Sequence, residues 1–325
     1  MYSLVIPVYR NEESLPDLIL ALTELDRNLD GKLEVVFVID GSPDCSSAWL
    51  HANLPACAFH AKVIELSRNF GSFAAIRAGL IASSGPFFGM MAADLQEPPS
   101  LVLNMFQALE SDRCDVAIGT REKRADPLLS RLFSRIFWEL YRRFVQYDMP
   151  SGGVDMFACN QKFRDQLVAL PESNSSLVGL MFWVGFRRAY ISYARAPRAR
   201  GKSAWTFTKK LRYLSNSVFA FSDLPIQLLL AFGILGVTTA LGLATVVAMA
   251  RITGLVSVPG YSATVLVILF FAALNSLGLG IIGSYTWRAF ENTKARPLSI
   301  VMRETSYGER SKQYDGSVHS LTRSL

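Results

Sequence analysis

The chain has 325 residues, half of them hydrophobic, four cysteines and a formal net charge of +6, and its mean hydropathy of +0.25 is high for a soluble protein. The length leaves room for one domain of roughly 200 residues and a further segment. No basic run alternates with aromatics, which speaks against a nucleic-acid groove, and Cys45, Cys57, Cys114 and Cys159 show no metal-ligand spacing and read as thiols of a reducing compartment.

In chain order, Ser3–Val8 reads as a strand and Glu12–Leu29 as a helix begun by polar residues. Leu33–Ile39 is a second strand, ended by the turn sequence Asp40-Gly41-Ser42-Pro43-Asp44. Lys62–Leu66 is a third strand and Ser72–Ile81 a helix; Pro86–Ala92 and Asp115–Ile118 are further strands. This β-α-β-α rhythm predicts a mostly parallel, helix-covered α/β sheet. The N-terminus passes straight into the first strand with no basic segment or small-residue cleavage site, so this part is expected to stay in the cytoplasm.

Leu128–Tyr147 has helical periodicity, with Arg131, Arg135, Arg142 and Arg143 among aromatic and aliphatic residues. It reads either as a helix lying in a membrane interface or as one packed on the sheet. Trp205–Phe221 is a second basic, aromatic segment, read as interfacial because it leads into an uncharged stretch. No charged residue lies between Asp223 and Arg251, nor between Arg251 and Arg288. Both intervals exceed the roughly 20 apolar residues a span needs, and predict transmembrane helices over about Leu224–Ala250 and Ala263–Trp287. Lys209, Lys210 and Arg212 before the first span, and Arg288, Lys294 and Arg296 after the second, place both termini inside an inner membrane, with a short external loop at Pro259-Gly260. The small residues Gly278, Gly280, Gly283 and Ser284 are expected to pack the two spans together, and a homo-oligomer stays open. The segment from about Glu304 onward is polar and serine-rich and reads as disordered.

The chemistry concentrates at the predicted strand ends. Asp94 and Gln96, after the strand Pro86–Ala92, alternate by two and so point the same way from an extended backbone. A carboxylate and an amide oxygen side by side suit Mg²⁺ or Mn²⁺, and that ion in turn suits a diphosphate. Pro7-Val8-Tyr9 and Asp40-Gly41-Ser42 end two neighbouring strands, where Tyr9 can pack on a base and Asp40 accept from a base or ribose. No glycine-rich phosphate loop is present, so phosphates are expected on metal and arginine.

Ile6-Pro-Val-Tyr-Arg-Asn-Glu-Glu13, Val38-Ile-Asp-Gly-Ser42, Ser67-Arg-Asn-Phe-Gly71 and Ala93-Asp-Leu-Gln-Glu-Pro-Pro99, in this order, resemble the family 2 glycosyltransferases with a GT-A (Rossmann-like) fold. The nearer likeness is to the polyprenyl-phosphate glycosyltransferases, and it continues through Gly119-Thr-Arg121, Ser151-Gly-Gly-Val-Asp155 and Arg198-Ala-Arg-Gly-Lys-Ser203 into the paired C-terminal helices. The resemblance implies transfer of a sugar, with inversion, from a nucleotide-diphosphate sugar, UDP favoured, to polyprenyl phosphate at the cytoplasmic membrane face. It implies Asp94 and Gln96 as metal pair, and Pro7, Tyr9, Asp40 and Asp94 around the nucleotide. Arg121 would face the phosphates, and Asp155 would stand near the reacting centre as base or orienting group. Arg131 and Arg135 would hold the acceptor phosphate, with Arg198 and Ser203 on a loop over the donor. The implied layout is a transferase domain over 1–203, a juxtamembrane amphipathic helix over 204–222, two spans over 223–288 and a cytoplasmic, partly disordered tail over 289–325. The chain departs from the family at Ala92, where a first aspartate is usual, and at Ile39, the first place of an Asp-Asp-Gly-Ser turn. A degenerate nucleotide-sugar-binding protein, or a transferase acting on another lipid-linked acceptor, is the alternative that Ala92 leaves open.

Overall fold

The computed structural model describes residues 1–121, 139, 142–143, 148–150, 154–172, 175–195, 216–253 and 260–308. The first half alternates as the sequence predicts. Strands β1 (Tyr2–Val8), β2 (Leu33–Ile39), β3 (His60–Leu66), β4 (Phe87–Met90) and β5 (Val116–Arg121) are interleaved with helices α1 (Leu15–Asn28), α2 (Ser46–Asn53), α3 (Ser72–Ala82) and α4 (Pro99–Glu110). Strand β6 (Phe157–Asn160), helices α5 (Gln161–Ala169) and α6 (Leu177–Val184), and strand β7 (Arg188–Tyr193) follow. Helices α7 (Leu224–Ile252) and α8 (Tyr261–Thr293) precede a last strand, β8 (Val301–Tyr307).

Among the described residues the strands form one eight-stranded sheet in the order β7-β5-β6-β4-β1-β2-β3-β8. The sheet is mixed. β1, β2, β3 and β4 run parallel, β6 is antiparallel to β4 and β5, β7 is parallel to β5, and β8 is antiparallel to β3. The central strands are buried on both sides, which explains their near-continuous apolar sequence. Leu4, Ile6, Val35 and Phe37 pack under α1 and α4 through Leu18, Leu22, Val102 and Phe106. Their neighbours Val5, Val36 and Val38 point the other way, onto Ala75 and Ile76 of α3 and, beyond them, Leu180 of α6. Pro7 is tolerated in a central strand because the β1–β4 pairing ends at Val5 with Met90, leaving no partner for the N–H that proline lacks.

The pairing directions decide where chemistry gathers. The C-terminal ends of β1, β2, β3 and β4 share one rim; two antiparallel steps return β5 and β7 to the same sense. Arg121 and Tyr193 therefore end on that rim, and Asp155, just before the antiparallel β6, starts there.

Two expectations are corrected. The polar tail is not disordered from Glu304: residues as far as Tyr307 belong to β8, paired from Tyr307 with Ala61 to Val301 with Leu66. Tyr307 meets His51, and Arg303 lies 3.5 Å from Glu65, so a polar strand is held by an edge that already carries its partners. The glycines of the last helix also divide. A Cβ on Gly278 would sit 3.1 Å from Leu229 and one on Gly236 3.3 Å from Phe271, which sets α7 and α8 in antiparallel contact, whereas Gly280 and Gly283 face open space.

The expected spans coincide with α7 and α8, of 29 and 33 residues. Among the described residues no helix is long and apolar enough to cross a membrane. The spanning reading rests on the charge-free sequence and is taken up below as a proposal. Most of Leu128–Tyr147, and the part of Trp205–Phe221 before 216, lie outside the described residues; residues 216–221 are helical.

Candidate active site

The loops at the rim are knitted before any ligand is considered. Arg10 N–H donates to Ser42 Oγ (2.7 Å), Glu12 N–H to Asp44 Oδ2 (3.2 Å) and Cys45 N–H to Glu12 Oε2 (3.0 Å), which ties the β1 and β2 ends together. Asp44 also accepts from the Ser42 and Ser46 hydroxyls, and although burial works against its charge, these bonds hold its carboxyl below the usual range. Gly41 has φ +56, and a Cβ there would lie 2.5 Å from the Arg68 carbonyl carbon, so the turn after β2 requires glycine.

Pro7 and Tyr9 are half-buried and alternate by two, as expected, with the Arg10 guanidinium 5.5 Å from the centre of the Tyr9 ring. Asp40 also has a structural task that the sequence does not announce. It is 3 % exposed, and its oxygens accept from the backbone N–H groups of Phe70 (2.6 Å) and Gly71 (2.9 Å), where α3 begins. Burial raises its pKa, and these bonds oppose the rise. Asp40 thus shapes the loop between β3 and α3.

Asp94 and Gln96 are together, but not by the pleat of a strand. β4 ends at Met90, and Leu95 between them is left-handed, with φ +52. A leucine in that region is strained, a feature that concentrates at functional sites. The turn brings Gln96 N–H to Asp94 Oδ1 at 3.4 Å. Gln96 Oε1 accepts from Arg195 Nη2 at 2.6 Å, and Arg195 Nε lies 3.5 Å from Glu97. Glu97 is 1 % exposed, and its Oε2 has no hydrogen-bond partner among the described residues. Burial raises its pKa to about 7; the charges of Asp155 and Asp94 add to the rise and Arg195 and Arg121 oppose it.

Across the rim, Arg121 donates through Nε and Nη2 to the two oxygens of Asp155, the second bond at 2.5 Å, and Tyr193 Oη donates to Asp155 Oδ2 at 2.9 Å. Burial, then the charge of Asp155, pushes the Tyr193 phenol up. Burial disfavours the charged Arg121, but the bonds and charge of Asp155 outweigh it and raise its pKa. A carboxylate chelated by a guanidinium is well placed to hold that guanidinium toward an anion.

The rim therefore carries Asp94, Gln96 and Glu97 beside Arg195, and Asp155 beside Arg121 and Tyr193. Tyr193 and Arg195 were not anticipated from sequence, although the alternation Ala189, Ile191, Tyr193 along β7 is the signal that places Tyr193 on one face. Arg131, Arg135, Arg198 and Ser203 lie outside the described residues. Among the described residues no group of three His, Cys, Asp or Glu side chains is arranged to hold a metal ion. The donors Asp94, Gln96 and Glu97 Oε2 are all hard and fit Mg²⁺ or Mn²⁺ when a ligand adds further oxygens.

Residues 3–167 match the profile of Glycosyl transferase family 2. The chain belongs to this family and is a glycosyltransferase with a GT-A-like α/β sheet. It is 30% identical to an uncharacterized glycosyltransferase of Synechocystis over 92% of this chain and 94% of that protein. It is 26% identical to a prophage bactoprenol glucosyl transferase homolog of Escherichia coli K12, over 93% of this chain and 98% of that protein. Among solved structures it is similar to glucosyl-3-phosphoglycerate synthase from Mycobacterium tuberculosis in complex with Mn²⁺, UDP and glucosyl-3-phosphoglycerate, with TM-score 0.48 and 18% identity over 68% of this chain and 77% of that one.

Proposed function

We propose that the protein transfers one sugar from a nucleotide-diphosphate sugar, UDP favoured, to the phosphate of a polyprenyl carrier at the cytoplasmic face of a membrane it spans twice. The observation that carries this reading is the convergence on one rim of an acidic turn suited to a diphosphate and an arginine, Arg121, held by Asp155 and Tyr193. The relative named for bactoprenol, 98% of which is covered, supports the lipid acceptor.

An acceptor phosphate is ionised at neutral pH and needs little base catalysis. The protein must instead hold two anionic substrates in line and stabilise the departing diphosphate. Arg121 and Arg195 supply positive charge on either side of the reacting centre. Asp155 acts as the orienting group for Arg121 rather than as a base. Asp94 and Gln96 would hold a divalent ion, which would neutralise the leaving diphosphate; Gln96 would exchange its bond to Arg195 for that role. Direct displacement inverts the anomeric centre.

What supports the membrane part is the charge-free sequence and the exposed apolar surface of α7 and α8. At about 1.5 Å per residue, helices of 29 and 33 residues exceed a hydrocarbon core of about 30 Å. Ile226, Leu230, Ile234, Leu235 and Phe270 point outward from them, an apolar surface that water does not favour. The experiment is calorimetric binding of UDP, GDP and dTDP to the purified full chain with and without Mn²⁺. UDP binding that strengthens with Mn²⁺ and is lost in Asp94→Ala is expected; equal weak binding of all three, indifferent to Asp94, would contradict the donor assignment.

A further inference from the structure

Away from the rim, the start of the C-terminal hairpin holds a cavity of about 380 Å³ lined by Asn216, Gly280, Gly283, Ser284, Trp287 and Arg288. Its lining has a polar end and a smooth strip. At the polar end Arg288 Nη2 donates to Asn216 Oδ1 at 2.9 Å, and the guanidinium stands 5.1 Å from the centre of the Phe219 ring. Gly280, Gly283, Ser284 and Trp287 fall at i, i+3, i+4 and i+7, one face of a helix. Among the described residues a Cβ added at Gly280 or Gly283 would meet nothing within 4 Å, so packing between the described helices does not account for these glycines. Both glycines are exposed, so this face of α8 carries no side-chain cover beside the cavity.

Arg288 is the first charged residue after the uncharged run Tyr261–Trp287, and Trp287 beside it is 58 % exposed, as aromatics at a membrane boundary are. The cavity thus sets a cation at the boundary beside the uncovered glycine face of α8. That arrangement suits an amphiphile with an anionic head and a long chain. The segment that closes its polar end also touches the catalytic domain: Phe221 packs so closely on Gly179 of α6 that a Cβ there would approach it to 2.2 Å, and Tyr285 Oη donates to Ser222 O at 3.3 Å.

We infer that this cavity, with the glycine face of α8 beside it, is a binding site for the polyprenyl phosphate, its phosphate on Arg288 and Asn216 and its chain along Gly280 and Gly283. A phosphate monoester with no further head group fits one guanidinium in a cavity of this size. The site is separate from the rim and receives the carrier where it meets the domain. This inference rests on the lipid acceptor proposed above.

The test uses the full chain in phosphatidylcholine nanodiscs and a diazirine-bearing polyprenyl phosphate, with adducts mapped by peptide mass spectrometry. Labelling is expected within 280–288, at least five-fold weaker in Arg288→Gln and in Gly283→Leu, restored in Arg288→Lys, and not displaced by phosphatidylglycerol. In turnover, Arg288→Gln raises KM for polyprenyl phosphate and leaves KM for the nucleotide sugar unchanged. Labelling indifferent to both substitutions, or displaced equally by phosphatidylglycerol, overturns the site. Because labelling needs no turnover, intact labelling without glycolipid would sustain the site while removing the transfer reading.

Discussion

Asp155 and Glu97 stand on the same rim and are set to opposite uses by their partners. Asp155 is chelated by Arg121 and capped by Tyr193, and in the proposed function its charge orients Arg121. Asp155→Asn should therefore lower kcat by about 10²-fold or more, a usual scale for losing a preorganised electrostatic contact, and Tyr193→Phe by less, in single-turnover assays. A full-rate Asp155→Asn enzyme would remove the residue from the site. Glu97 is buried with one oxygen unpaired among the described residues, and its pKa rises to about 7. Because the folded pKa lies above the unfolded one, the native state binds more protons between the two values, and stability falls as pH rises from the unfolded value through about 7. Glu97→Gln removes that loss, so its melting temperature relative to wild type should climb from pH 5 to pH 8, by roughly 3 kcal/mol of differential stability at most. A constant gap across that range would contradict the burial argument.

At the scale of elements, the first half of the sheet was legible in the sequence, because its strands are buried on both faces and announce themselves as apolar runs between turn residues. Asp40-Gly41 was readable as a turn, but not the destination of the Asp40 carboxylate, which depends on Phe70 and Gly71 from another loop. The closeness of Asp94 to Gln96 was anticipated for the wrong reason: a left-handed Leu95, which no alternation rule foresees, makes the turn. β8 was missed because Glu304, Thr305 and Ser306 carry no apolar pattern; its pairing comes from the exposed edge of β3. Two predictions belong here. Gly41→Ala should destabilise the protein by more than about 1 kcal/mol, since the position is left-handed and its Cβ meets backbone, seen as a lower melting temperature in detergent. Ending the chain at Ile300 should uncover the edge of β3 and produce aggregates in size-exclusion chromatography; a monodisperse, equally stable product would mean β8 does not protect that edge.

For the whole molecule, one short segment links the rim's domain to the two long helices. Residues 216–222 touch α8 through Arg288 and Tyr285, and the catalytic domain through Phe221. The sequence made the two long helices legible by their lack of charge, but not how the domain rests on them. Ala92 leaves the acidic turn one carboxylate short, so half-maximal activity should need a higher concentration of Mg²⁺ or Mn²⁺ than in a relative with two aspartates there, while still requiring Asp94. The most direct test of the central claim is mass spectrometry of the lipid fraction after the detergent-purified full chain is incubated with polyprenyl phosphate, Mg²⁺ or Mn²⁺ and a panel of UDP-, GDP- and dTDP-sugars. The account predicts polyprenyl phosphate heavier by a single sugar residue, with at least one donor, and none of it with Asp155→Ala; unchanged polyprenyl phosphate across every donor would contradict it.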